Sequence, residues 1–159
     1  DLVLIQNGKR ESGKTPSRSV RLHEKIYADN PDIGSVLIAH PPSTLAFAVT
    51  DAELDSRSIP ESYVVLRNIP KLPYGAQIEE LDKVSSTLGK ENPVILIQND
   101  CVITAGKNML EAYDRLEVCE FGATALLNAQ QIGELVPIDD EEVKELDKEF
   151  LGDEQAAEK

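Results

Sequence analysis

Apolar positions along this chain fall into short continuous runs and longer amphipathic stretches. Leu2-Val3-Leu4-Ile5 reads as a first strand closed by Asn7-Gly8, and a basic, glycine-containing loop follows from Lys9 to Lys14. A helix is predicted next, capped by Ser17 or Ser19, with Val20, Leu22, His23, Ile26 and Tyr27 on its apolar faces and Asn30-Pro31-Asp32 stopping it. Gly34 to Ala39 is almost wholly apolar and suits a strand buried on both faces. Ser43 to Val49 is open between helix and strand, with a hydroxyl cap and two alanines tilting it toward helix; Tyr63 to Leu66 is open in the same way. Ile69 to Gly75 carries two prolines, which confine it to a sheet edge or a loop because proline donates no ladder hydrogen bond.

In the second half, Ile78, Leu81, Val84 and Leu88 recur at helical spacing, with Gly89 expected as a left-handed end. Two apolar runs, from Pro93 to Ile97 and from Val102 to Thr104, flank Asn99-Asp100-Cys101 and read as a hairpin with a polar turn. Asn108 with Glu111 three residues on marks a helix start. An apolar stripe follows through Met109, Ala112, Leu116, Cys119, Ala123, Leu126 and Leu127. A last amphipathic helix is predicted over 140–150, with Val143, Leu146 and Phe150 on one face, before a polar, frayed tail. Strands and helices mix without strict βαβ alternation. The pattern therefore predicts one α/β layered domain over 1–152 with a largely antiparallel or mixed sheet, and a tail over 153–159.

Composition narrows the function classes. With 159 residues, 41% of them apolar, one packed domain is the expectation. The 29 acidic against 16 basic residues give a formal charge of −13, which repels phosphate backbones and anionic lipid, so nucleic-acid and membrane-surface binding are disfavoured. The uncharged run from Ile33 to Thr50 is broken by His40-Pro41-Pro42, so no transmembrane span is expected. Cys101 and Cys119 are the only cysteines and read as reduced thiols of a cytoplasmic protein. The chain starts at Asp1 and enters an apolar run almost at once, which is expected of a start inside a domain.

Few residues are suited to chemistry. Gly8 to Thr15 matches the G-x-x-x-x-G-K-[ST] pattern, but Pro16 follows directly and disfavours helical geometry at Thr15, where a phosphate loop needs a helix N-terminus. It reads as a chance match. His40 ends an apolar strand, where a ring nitrogen could project into a cavity, although a hydrogen-bonded strand-end histidine is the commoner case. Asp100 sits in a turn, where aspartate commonly bonds its own backbone. His40 and Asp100 would supply two ligands to a divalent metal that ordinarily asks for three; His23, within the helix, reads as a packing residue.

Several segments together resemble the class II aldolase/adducin family: Thr15 through Tyr27, Pro31 through Pro42, Ile69 through Gly75, Val94 through Asn99, and the helical stretch from Ala105 to Ala129. The family comprises metal-dependent sugar-phosphate aldolases, pentose-phosphate 4-epimerases and the non-enzymatic adducin head. The resemblance implies an aldolase-like fold, a mainly antiparallel central sheet flanked by helices, lacking the family's leading portion with its phosphate-binding turn. It implies zinc or another divalent cation as cofactor if the site is functional and none otherwise, and a homo-oligomer (commonly a tetramer) or pairing with an active homologous domain as partnership.

At the implied active site this sequence departs from the pattern. The family's acid/base glutamate falls at Ser19, and its three metal-binding imidazoles fall at Ile38, His40 and Asp100. Ser17 matches a serine of the substrate-phosphate site, with Arg18 beside it as a second substrate-binding candidate. The expectation is a domain with a degenerate metal site, non-catalytic or weakly active. The alternative is a divergent aldehyde-lyase or epimerase acting on a phosphorylated sugar, in which a borrowed carboxylate such as Glu61 or Glu53 completes the site.

Overall fold

The computed structural model describes residues 2–152; Asp1 and the tail over 153–159 lie outside the described residues. A four-stranded mixed sheet in the order β3-β6-β5-β4 organises the chain. Strands β5 (Val94–Ile97) and β6 (Val102–Gly106) are the antiparallel hairpin the apolar runs predict, and β3 (Ser35–Ala39) pairs antiparallel with β6 along its whole length. The proline-stiffened segment contributes only β4 (Lys71–Leu72), parallel to β5 at the edge. Every residue of β5 and β6 is buried, because helices cover both faces.

Alternation along β5 explains how the two layers of core form. Ile95 and Ile97 face a cluster with Leu22 and Ile26 of α1 (Val20–Asp29), Ala76 of α4 (Ala76–Glu79) and Val84 of α5 (Leu81–Thr87). Val94 and Leu96 face the opposite cluster, built from Phe47 of α2 (Pro42–Ala48), Leu66 of α3 (Pro60–Leu66), and Cys119 and Ala123 of α6 (Met109–Ala129). Both ambiguous stretches are therefore helices, each opened by a proline in its first turn.

Several expectations are corrected. The apolar N-terminal run forms only β1 (Ile5–Gln6), and the basic loop supplies its hairpin partner β2 (Lys9–Arg10); Asn7 and Gly8 both take the positive φ of the turn between them. The helix expected over 78–88 is two helices, since Glu80 leaves helical geometry between α4 and α5, and Gly89 is not left-handed. Ile78 is consequently exposed. Met109 lies outside the buried stripe of α6, and β3, expected to be buried on both faces, is half-buried at the sheet edge over 37–39. The last helix stops early: α7 (Asp140–Leu146) passes into a π turn (Asp147–Leu151), and Phe150 is exposed.

Side chains close the backbone groups the elements leave open. The Tyr27 hydroxyl accepts from Val36 N, on the strand at the sheet edge. Glu120 of α6 caps α2, whose own N-cap residue, Pro41, offers no side-chain oxygen: its carboxylate accepts from the amides of Ser43 (2.9 Å) and Thr44 (2.8 Å) and from the Thr44 hydroxyl (2.8 Å). Burial pushes the Glu120 carboxyl up, but these hydrogen bonds outweigh it and leave it below its ordinary value of 4.5. A carboxyl depressed in the folded state stabilises above its unfolded value, and that contribution is lost as pH falls through the folded value. Glu120→Gln is therefore expected to cost about 1 kcal/mol at pH 7 in urea unfolding, and the difference from wild type is expected to shrink below pH 4.5.

Candidate functional site

The ends of three elements meet beyond the sheet. Ile38 of β3 packs on the α1 side of the sheet and Ala39 on the α6 side, so strand alternation returns His40 to the α1 side. The β5–β6 turn brings up Asp100, with Asn99 beside it at φ 56°. Positive φ is tolerated by asparagine better than by most residues, which lets the turn close in two steps from Ile97. Helix α4 begins at Gly75, itself at φ 85°, and carries Gln77 to the same place.

The resulting cluster joins two residues singled out in the sequence. His40 Nε2 lies 3.8 Å from Asp100 Oδ1, and the Gln77 side-chain amide donates to the other oxygen of Asp100. Gln77 Oε1 is buried and has no partner among the described residues. Sequence reading did not find Gln77, because a glutamine on a short exposed helix gives no signal until the turn is folded against it. His40 is well exposed, with 61% of its side chain accessible, while Asp100 is 32% accessible, so the pair is a solvent-facing contact rather than a buried ion pair.

The other candidates lie apart. Ser17 and Ser19 bond each other, Oγ to Oγ at 2.6 Å, ahead of α1. Among the described residues no hydrogen bond or ion pair links Ser17, Arg18 or Ser19 to His40 or Asp100. His23 is half-buried against the Tyr27 ring, with centroids 6.2 Å apart, and burial holds its imidazole below the usual value. The chance phosphate-loop match runs through β2 and ends well before α1, with Gly8 in the hairpin turn. Both thiols are buried and pushed up to about 12, Cys101 by burial and the Asp100 charge, Cys119 by burial foremost. They stay protonated at neutral pH and are packing residues.

The donor set decides whether a transition metal fits. A zinc ion that keeps an open position asks for three nitrogen, sulfur or carboxylate ligands. Ile38, which the family resemblance would align with a ligand, is aliphatic, and among the described residues no group of three histidine, cysteine, aspartate or glutamate side chains is placed to hold an ion. Glu61 stands in the first turn of α3, and Glu53 lines a cleft on the α6 side of the sheet. The described residues of this chain alone do not present the three ligands such a metal asks for.

Comparison with known proteins bears on both fold and family. The family model described as Class II Aldolase and Adducin N-terminal domain matches residues 1–127. L-fuculose phosphate aldolase of Methanococcus maripaludis strain C7 is 31% identical over 123 residues, 76% of this chain and 66% of that protein. 3-oxo-tetronate 4-phosphate decarboxylase of Escherichia coli O6:H1 is 29% identical over 124 residues, 74% of this chain and 58% of that protein. A solved L-fuculose 1-phosphate aldolase superposes with a TM-score of 0.75 at 22% identity, covering 91% of this chain and 69% of that one. The chain spans about two thirds or less of the curated relatives it matches most strongly. No described helix is long and apolar enough to cross a membrane.

Proposed function

We propose, from the premise that this chain belongs to the class II aldolase and adducin N-terminal domain family, that it is a member with degenerate catalytic and metal positions, non-catalytic or weakly active within carbohydrate metabolism. One observation carries the reading. Where the family resemblance implies three imidazoles, the chain brings together one imidazole and one carboxylate, 3.8 Å apart, and has the aliphatic Ile38 at the remaining position. The acid/base position adds weight, since Ser19 offers a hydroxyl bonded to Ser17 in place of a group that titrates near neutrality. Loss of a positioned acid or base lowers rate by about 10²–10⁴-fold, and losing a metal ligand compounds it.

The reading includes a cytoplasmic assembly, either of copies of this chain or with an active relative. Leu110, Tyr113 and Phe121 support it: they fall within one narrow arc of α6 and are all more than half exposed. Ser17 and Arg18 are retained in this account as remnants of a substrate-phosphate site.

Titration of the purified protein with zinc and with manganese tests the proposal. The expected result is uptake far below one equivalent, together with no cleavage of L-fuculose 1-phosphate above background. Stoichiometric binding abolished by His40→Ala or Asp100→Ala would overturn it and favour the divergent lyase, with a third ligand borrowed from a neighbouring subunit.

A further inference from the structure

A cleft of about 420 Å³ opens on the α6 side of the sheet, away from His40 and Asp100, between the 3-10 turn Ser56–Ser58, the end of α3 and the start of β4. Its apolar floor is Leu54, Ile69 and Leu96, which belong to the α6-side core. Cations stand around that floor. Lys71 is committed, its ammonium donating to the carbonyls of Thr50 and Ala52. Arg57 has a buried Nε without a partner among the described residues, and Arg67, which also interacts with the Tyr63 side chain, stands at long range from its counter-ion.

Arg67 is the more telling of the two. Its backbone sits at φ 56°, ψ −123°, a conformation that favours glycine, and is held there from both sides. The Arg67 amide donates to Tyr63 O at 3.0 Å, and its carbonyl accepts from the Ser56 hydroxyl at 2.6 Å. Only 8% of its side chain is exposed. A guanidinium so buried needs an anion and several hydrogen bonds, yet its ion-pair partner is Asp147, 3.5 Å away and beyond normal hydrogen-bond length. Arg57 bonds Ile138 O and Asp140 through one terminal nitrogen, while its Nε is buried without a partner among the described residues. Tyr63 donates to Asp147 at 2.8 Å, and burial, reinforced by that carboxylate, keeps the phenol protonated as a donor.

The acidic groups facing these donors are accounted for. Asp55 accepts from the Arg57 amide, and Glu53 lines the cleft with no ion pair among the described residues. Asp140 and Asp147 both come from the C-terminal segment, whose helix α7 has no buried residue. That segment is held on α3 and its preceding turn through the same arginines and tyrosine. Elements with so little buried surface open more readily than the core.

We propose that this cleft is a binding site for a small oxyanion, a phosphate ester or a carboxylate, gripped by Arg67, Arg57 and Tyr63, with Asp147 as the internal stand-in that an incoming anion displaces. Charge-assisted bonds to a planar guanidinium suit both anions, and the cleft is large enough for a metabolite rather than a bare ion. The site is independent of the reading given to His40 and Asp100.

Calorimetric titration with inorganic phosphate and with malonate, at ionic strength held constant with sodium chloride, tests it. Asp147→Asn removes the competing charge and is expected to tighten binding of one or both probes by about tenfold relative to wild type. Whichever probe gains more identifies the anion class. Arg67→Met placed on top of Asp147→Asn is expected to abolish the gain; if that double variant fails to fold by circular dichroism, Arg57→Met on the same background takes its place. A merely structural salt bridge would make Asp147→Asn less stable without tightening either probe. The proposal is overturned if Asp147→Asn binds neither probe more tightly, or if the gain survives loss of the guanidinium.

Discussion

Gly106→Ala is expected to be strongly destabilising. A Cβ at Gly106 would stand 2.5 Å from Ala112 N and 3.0 Å from the Glu111 carbonyl carbon, both backbone atoms of the first turns of α6. Backbone cannot rotate away as a side-chain tip can, so either β6 or α6 must shift. Neither moves alone. Gly34 N donates to Gly106 O at 2.9 Å, Thr104 Oγ1 donates to Ala112 O at 2.9 Å, and Arg115 binds both Ala105 O and Glu111. Overpacking at so rigid a junction is expected to cost about 3 kcal/mol or more, lowering Tm by roughly 10 °C in a domain of this size. Urea unfolding with an unchanged m-value would check it. Gly89→Ala, where a Cβ meets nothing within 4 Å, is the matched control and is expected to leave stability within about 0.5 kcal/mol.

The second large effect is a gain. Ile38→His together with Asp100→His is expected to create a three-imidazole zinc site. Residues 38 and 40 are two apart along β3 and its continuation, so their side chains share one side of the strand. Asp100 already lies 3.8 Å from the His40 ring. Three imidazoles converging there meet the ligand count of an open zinc site, and neutral imidazole is the binding form. The double variant should take up one zinc per chain at pH 7.5 by calorimetry, and release it as pH falls through the histidine range near pH 6.5. The cost in stability is expected to be about 1 kcal/mol, because Ile38 is only partly buried against the α1-side core. A folded double variant that binds no more zinc than wild type would remove the assignment of Ile38 and Asp100 to metal positions, and the argument for a degenerate site with it.

Much of the fold was written in local pattern. The β5–β6 hairpin, α1 and α6 all have what sequence reading uses best, a sustained period and a turn or stop signal, although the serine cap expected on α1 does not form: the Ser19 hydroxyl bonds Ser17 and caps no helix amide. Asn108 caps α6 by accepting from Glu111 N, at the position its residue type announces, though Glu111 itself reaches back to Lys107 N rather than closing the box. The failures sit where tertiary contacts override propensity. Leu2-Val3-Leu4 looks like a strand, yet the sheet offers it no partner, and only Ile5–Gln6 pairs, with the polar Lys9–Arg10. The 78–88 stretch has a helical period, yet α4 must turn to carry Gln77 to Asp100 while α5 packs on α1, and one straight helix cannot do both.

The candidate site divides in the same way. Once the family resemblance assigns roles to Ser19, Ile38 and Asp100, residue identity tells what chemistry each can offer, since a hydroxyl, an aliphatic chain and a carboxylate have fixed properties wherever they are placed. That His40 and Asp100 stand side by side depends on β3 pairing with β6, a contact between segments more than sixty residues apart that no local pattern encodes. Gln77, Arg67 and Asp147 were silent in the sequence for a related reason. A polar side chain gains meaning from burial and from the partner it is left with, and both are properties of the assembled layers rather than of neighbouring residues.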